Sequence, residues 1–141
     1  MTMLDDELRR AVHAWMADDP DPETRAELER LLAAGDAAAL AERFAGPLRF
    51  GTAGLRGLLG AGPSRMNRKV VLRATAGLCA YLLETVPNAA ERGICIGFDG
   101  RRLSREFAQD AAEVACGMGL RVFAFDHVVP TPLLGFACLQ T

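Results

Sequence analysis

The sequence has no cysteine pair at redox or metal-ligand spacing. Cys79, Cys95, Cys116 and Cys138 stand far apart, and none belongs to a Cys-x-x-Cys motif. His13 and His127 are the only histidines, so a zinc site built from closely spaced ligands is excluded. Each cysteine lies in an apolar context, as in GLCAYLL and GICIGF, and the expectation is four buried, reduced thiols. Long apolar runs are missing as well, because Asp, Glu or Arg interrupts every hydrophobic segment before it reaches membrane-spanning length. The first residues, MTMLDDELRR, are charged and lack the apolar stretch of a secretory signal. The formal net charge of −2 gives no reason to expect a nucleic acid or an anionic membrane as partner. These absences together read as a cytoplasmic protein.

Familiar catalytic patterns are absent too. There is no Ser-His-Asp arrangement, no HExxH pair and no multi-aspartate metal loop. No glycine-rich stretch ends in Lys followed by Ser or Thr, so the P-loop is excluded. A dinucleotide fingerprint also fails. Gly60-Ala61-Gly62 runs into Pro63-Ser64-Arg65 without a third glycine, and Gly117-Met118-Gly119 closes a helix instead of opening one.

What is present is an ordinary globular composition in 141 residues, 50% hydrophobic and 24% charged, enough to bury a core. Leu4, Leu8, Val12 and Trp15 form a helical stripe over residues 3–17. Asp18-Asp19-Pro20-Asp21-Pro22 stops that helix and starts the next, with Asp21 as N-cap and Pro22 in the first helical position. The second helix carries Leu28, Leu31 and Leu32 on one face and ends at Gly35. Asp36 caps a third, which buries Leu40 and Phe44 and stops at Gly46-Pro47. Residues 1–45 thus read as an all-helical extension, and the rhythm changes at 46.

Beyond that point strands and helices alternate. Leu48 to Leu59 reads as strand and turn, and Asn67 caps a long helix to Val86 with Val71, Leu78, Leu82 and Val86 inward. Ile94–Phe98 reads as a buried strand, Ser104 as the cap of a helix over 105–118, Arg121–Phe125 as another buried strand, and Pro130–Gln140 as a final helix. This order predicts an α/β fold, a mixed sheet layered by helices, over 46–141.

Two clusters carry charge beside tight turns. In RFGTAGLRGLLGAGP, residues 49–63, glycine recurs at 51, 54, 57 and 60 around Arg56. The run is too short and too poor in proline for collagen. It reads either as a hairpin whose glycines serve turns or as a loop whose backbone N–H groups and arginine meet a phosphate. In GFDGRRLS, residues 97–104, Asp99 lies at the carboxyl end of a strand, where open α/β sheets place ligand groups, and a helix begins near Ser104. Asp99 and Ser104 read as structural, with Arg101 open. Arg65 is uncertain in role, while Arg68, Lys69 and Arg73 read as solvated. His13 reads as a surface residue, and His127 follows a strand near the same face.

FGTAGLRG (50–57), GPSRMN (62–67), GFDGRRLSREFA (97–108) and PTPLLGFA (130–137), in this order, resemble the α-D-phosphohexomutase superfamily. The Trp15 helix, DPDPETRAELERLL and ERF resemble its phosphoglucomutase/phosphopentomutase-like branch. The resemblance implies a Mg²⁺-dependent, four-domain enzyme that moves a phosphoryl group between two positions of a sugar through a phosphoserine. It also implies a bisphosphorylated sugar of the glucose 1,6-bisphosphate type as activator. By the same resemblance Arg56 faces the phosphoserine as the catalytic residue, with Thr52, Gly54, Arg65, Arg101 and Ser104 in supporting phosphate or substrate contacts. The family's TASHNP serine loop, its metal-binding aspartate loop and its sugar-specificity loop do not occur in these residues. The expectation is therefore an amino-terminal piece, the incomplete first domain with no metal ligands, inactive alone on its sugar phosphate partner. An exposed sheet edge inviting self-association is expected too. The alternatives are a free-standing, non-catalytic phosphate-binding or interaction module and an unrelated nucleotide-binding α/β enzyme, which the missing fingerprints disfavour.

Overall fold

A computed structural model describes residues 5–140. Leu4 of the first predicted stripe lies outside the described residues. The chain divides into two compact units, residues 1–70 and 71–141.

The first unit begins with three helices, α1 (Asp6–Ala17), α2 (Pro22–Ala34) and α3 (Ala37–Arg43). Each start is fixed by an aspartate that accepts a backbone N–H otherwise left unbonded at a helix end: Asp5 from Leu8, Asp21 from Glu23, Asp36 from Ala39. The turn between α1 and α2 is pinned by Asp19, which accepts from the Asp21 N–H at 3.1 Å and from the Thr24 hydroxyl at 2.9 Å. Gly35 ends α2 in the left-handed conformation at φ 64°, and its N–H returns to the carbonyls of Leu31 and Leu32.

Val12, Leu28 and Leu40 are fully buried with Trp15 and Ala61 in the core of this unit. Phe44, expected to be buried, is half-buried and meets Trp15 edge-on at 6.2 Å. Ala61 belongs to the glycine-rich segment, so the loop after the helices packs as part of the same body. That is why the packing divides at residue 70 although the composition shifts at 46.

The second unit is built on the long helix α4 (Arg68–Thr85), which starts at the end of the first. A short helix α5 (Ala89–Arg92), not foreseen from the sequence, follows the Pro87 break. Strands β3 (Ile94–Ile96) and β4 (Val122–Ala124) pair in parallel, Ile94 with Val122 and Ile96 with Ala124. They are joined by α6 (Ser104–Gly117), which makes a β-α-β unit. Helix α7 (Thr131–Cys138) closes the described chain and packs on β3.

The α/β class is the one the sequence predicts, and its strands form two separate sheets: this parallel pair, and the antiparallel hairpin β1 (Phe50–Gly51) with β2 (Gly54–Leu55). The strands β3 and β4 are shorter than predicted and only partly buried. The core here is thin: Cys79, Ala115 and Leu120, with Leu82, Ile94, Met118 and Val122 against them. On the inward face of α4, Leu82 packs into the core as predicted, but Cys79 is buried where Leu78 was expected, and Leu78 is half exposed. The cysteines are corrected likewise. All are free thiols, yet only Cys79 is buried, Cys95 is intermediate, and Cys116 and Cys138 are exposed.

Candidate phosphate-binding site

Phe50 pairs with Leu55 and Gly51 with Gly54, so Thr52 and Ala53 form the tip of the hairpin. Neither tip residue has a positive φ; that conformation falls on Gly54 at 85°. The left-handed residue therefore follows the turn, as in hairpins closed by a glycine bulge, and a side chain there would be strained. Thr52, Gly54 and Arg56 are all exposed. The Arg56 guanidinium makes no hydrogen bond or ion pair with any described residue.

The segment after Arg56 is held from behind by Asn67. Its side-chain amide donates to the carbonyls of Gly60, Gly62 and Arg65 at 2.8, 2.9 and 3.3 Å. Its carbonyl oxygen accepts the Val70 N–H at 2.9 Å and so caps α4, as the sequence predicts. With 1% exposure, Asn67 acts as an internal clamp between loop and helix. Main-chain bonds from Met66 to Leu58 and from Gly60 to Met66 complete the arch. At Gly62, φ is 95° and an added Cβ would sit 2.7 Å from the Arg43 carbonyl oxygen, so only glycine fits that approach.

The helices of this unit grip the same arch. Glu27 on α2 accepts the Ala61 N–H at 3.1 Å and the Arg43 Nε at 2.8 Å. Arg65 donates to Glu42 at 2.6 Å, its side chain 12% exposed, so its charge is already matched. Lys69, expected to be solvated, is instead buried. Its ammonium donates to the Trp15 carbonyl at 2.7 Å, pairs with Asp18, and lies 4.1 Å from the Trp15 ring centroid. The basic run read as a solvated face thus contains a lysine that ties the start of α4 to α1.

In the second unit, Asp99 follows β3. It accepts the Arg101 backbone N–H at 3.0 Å and the Arg101 Nε at 2.8 Å, while its own N–H donates to the Ser104 hydroxyl at 3.2 Å. The Arg101 backbone N–H is the main cause that holds the Asp99 carboxyl below its ordinary pKa; desolvation opposes it, and the Ser104 hydroxyl and the Arg101 guanidinium add to the lowering. Ser104 is not the helix cap. Leu103 occupies that position at φ 63° with no side-chain bond, and Ser104 is the first helical residue because its hydroxyl is taken by Asp99. His13 is exposed, as the sequence predicts. His127 is exposed and paired with Asp126, whose carboxyl that contact lowers in pKa.

Among the predicted site residues, Thr52, Gly54, Arg56 and Arg65 therefore lie in the first unit, and Arg101 and Ser104 in the second. Both Arg65 and Arg101 are neutralised by carboxylates, which leaves Arg56 as the predicted cation with an unmatched charge. Sequence reasoning missed Asn67 as a loop clamp, seeing only its cap, and missed Glu27; a polar side chain on the α2 face nearest the loop was the available signal.

The family model of phosphoglucomutase/phosphomannomutase, alpha/beta/alpha domain I, matches residues 47–141. The chain belongs to this family. A probable phosphoribomutase of Schizosaccharomyces pombe is 42% identical over 134 residues, covering 95% of this chain and 23% of that protein. The phosphopentomutase of Mus musculus is 34% identical over 139 residues, and the glucose 1,6-bisphosphate synthase of the same species 32%, each over 94% of this chain and 22% of the relative. The chain thus spans between a fifth and a quarter of the length of these phosphomutase-family relatives. No solved structure matches it. The match to the domain model begins at the composition shift, while the relatives extend over the helices before it.

Among the described residues, no three His, Cys, Asp or Glu side chains cluster as a metal site. No described helix is long and apolar enough to cross a membrane.

Proposed function

We propose that this chain is the first α/β/α domain, residues 46–141, with its helical extension, residues 1–45, of a cytoplasmic sugar-phosphate mutase. In that role Arg56 is the partner of the transferring phosphoryl group. The observation that carries this reading is an exposed, unpaired guanidinium directly after the second strand of the hairpin, inside the segment the family model matches. A planar, permanently charged fork is suited to phosphate oxygens, and transfer between oxygens asks mainly for positioning and charge stabilisation.

The hairpin presents Arg56, with the Thr52 hydroxyl and the Gly54 backbone in supporting contacts, to a phosphoserine carried elsewhere in the whole enzyme. Arg65 and Arg101, each spent on a carboxylate, together with Ser104, shape the loops that bear phosphate contacts. The relatives named as pentose mutases favour a pentose phosphate as substrate. Mg²⁺ belongs to residues outside this chain and supplies charge neutralisation at the transferring group when bound. A sugar bisphosphate of the glucose 1,6-bisphosphate type primes the serine. The chain alone does not turn over sugar phosphates.

The test is a chimera in which residues 1–141 replace the matching segment of the S. pombe relative, assayed beside the isolated chain. The chimera is expected to interconvert ribose 1-phosphate and ribose 5-phosphate, faster than it handles glucose 1-phosphate, and the isolated chain neither. Turnover by the purified 141-residue chain would sink the proposal of an inactive domain. A folded chimera without mutase activity would sink the mutase reading.

A further inference from the structure

The register of the hairpin continues one residue beyond its two paired positions. With Phe50 opposite Leu55, the next position sets Arg49 opposite Arg56. Directly opposed residues of an antiparallel pair place their side chains on one face, about 5 Å apart at Cβ. Arg49, like Arg56, is exposed and has no hydrogen bond or ion pair to any described residue. Two like charges in that relation repel, and among the described residues no carboxylate is drawn in to relieve them. This contrasts with Arg43, Arg65, Lys69 and Arg101, each of which has a carboxylate partner.

The residues between this pair and the turn are Gly51 and Gly54, which face one another. A Cβ built on Gly54 would meet nothing within 4 Å, and one on Gly51 only the Gly54 carbonyl oxygen at 4.0 Å. Between the two arginines and the turn, that face therefore carries no side chain of either strand. Phe50 and Leu55 take the alternate positions of the same strands, which keeps their bulk off that face. A small tetrahedral dianion can rest on the glycine floor with a guanidinium on each side.

We infer that Arg49 is a second phosphate-contacting residue, and that Arg49 and Arg56 together form a two-arginine clamp for one phosphomonoester dianion. This rests on the reading of Arg56 given above and adds a residue to it. The clamp recognises the phosphoryl group itself, whether it is carried by a serine or by a sugar.

Two-dimensional NMR of the arginine Nε–H groups in the 141-residue chain tests the clamp, at fixed ionic strength, with O-phosphoserine and with glucose 1-phosphate as probes. Both Nε–H signals are expected to shift along one saturation curve, and R49Q and R56Q each to weaken binding by roughly tenfold. R49K should recover part of the loss. Equal curves for the two probes assign recognition to the phosphoryl group; a curve for one probe only overturns that part of the inference. A shift of Arg56 alone overturns the role of Arg49 and leaves the Arg56 reading standing. No shift at either arginine overturns both, and so does an equal response to matched chloride.

Discussion

Asn67 is the residue on which the loop most depends, because one buried amide reaches three carbonyls with its two N–H hydrogens, the third at 3.3 Å sharing one of them, and accepts one helix N–H. Its replacement by alanine leaves those groups unpaired in the interior and removes a cap. The expected cost is about 3 kcal/mol, read from denaturant unfolding, and a change within error of zero would contradict the clamp. Part of this was legible: an asparagine before an amphipathic run is a cap signal. Its three backward bonds were not, since they depend on how residues 60–65 curl in space. Lys69 was misread for a similar reason. A cation in the first turn of a helix looks solvated until the Trp15 carbonyl and Asp18 are seen beside it.

Asp99 gives a pH prediction. Its folded pKa lies below the unfolded one, so its contribution to stability is present above the ordinary carboxylate value and is lost as pH falls through the lowered folded value. Titration of the Arg101 and Ser104 amide shifts should show this below about pH 4, in the range of an ordinary carboxylate and lower. In Asp99→Asn the step should be missing.

The elements reveal how the loop is built to be narrow and α4 to be tolerant. Gly62 has both a left-handed φ and a carbonyl in the way, and Gly62→Ala should destabilise by roughly 2 kcal/mol. Gly77 lies inside α4 with nothing near the position of its Cβ, so Gly77→Ala should stabilise by about 1 kcal/mol. Thermal melts of the two variants should move in opposite directions; a parallel shift would refute the contrast. Helix boundaries were largely readable, because Asp21-Pro22, Asp36 and Gly35 are strong local signals. The start of α6 was not. Ser104 is the better cap by residue type, but Asp99 takes its hydroxyl and Leu103 is left in the cap position. The exchange of Leu78 for Cys79 on the inward face of α4 escaped too: both are apolar, and only the partner elements decide which turns inward.

At the scale of the whole molecule, the two units differ in how well they bury their apolar side chains. The first closes a core around Val12, Leu28 and Leu40, whereas the second leaves Leu78, Tyr81, Val128, Leu133, Phe136 and Leu139 exposed beside a two-stranded sheet. Parallel pairs are usually covered on both faces, and an isolated pair is weak. Self-association at high concentration is the expected outcome, visible as concentration-dependent sedimentation, and a strict monomer at millimolar concentration would count against it. Thiol labelling should follow exposure, with Cys116 fast and Cys79 slow. Burial raises the Cys79 pKa, and Cys138, though exposed, is slowed by its hydrogen bond to Cys95. The family was legible because its motifs are local strings. The thin core was not, because the sequence shows where apolar residues fall but not what covers them.

The most direct test of the central claim concerns the charge at Arg56. In the chimera with the S. pombe relative, Arg56→Gln should lower kcat by on the order of a hundredfold, with Arg56→Lys in between, while the fold is unchanged by circular dichroism. A kcat equal to that of the parent chimera would contradict the assignment of Arg56 as the phosphate partner.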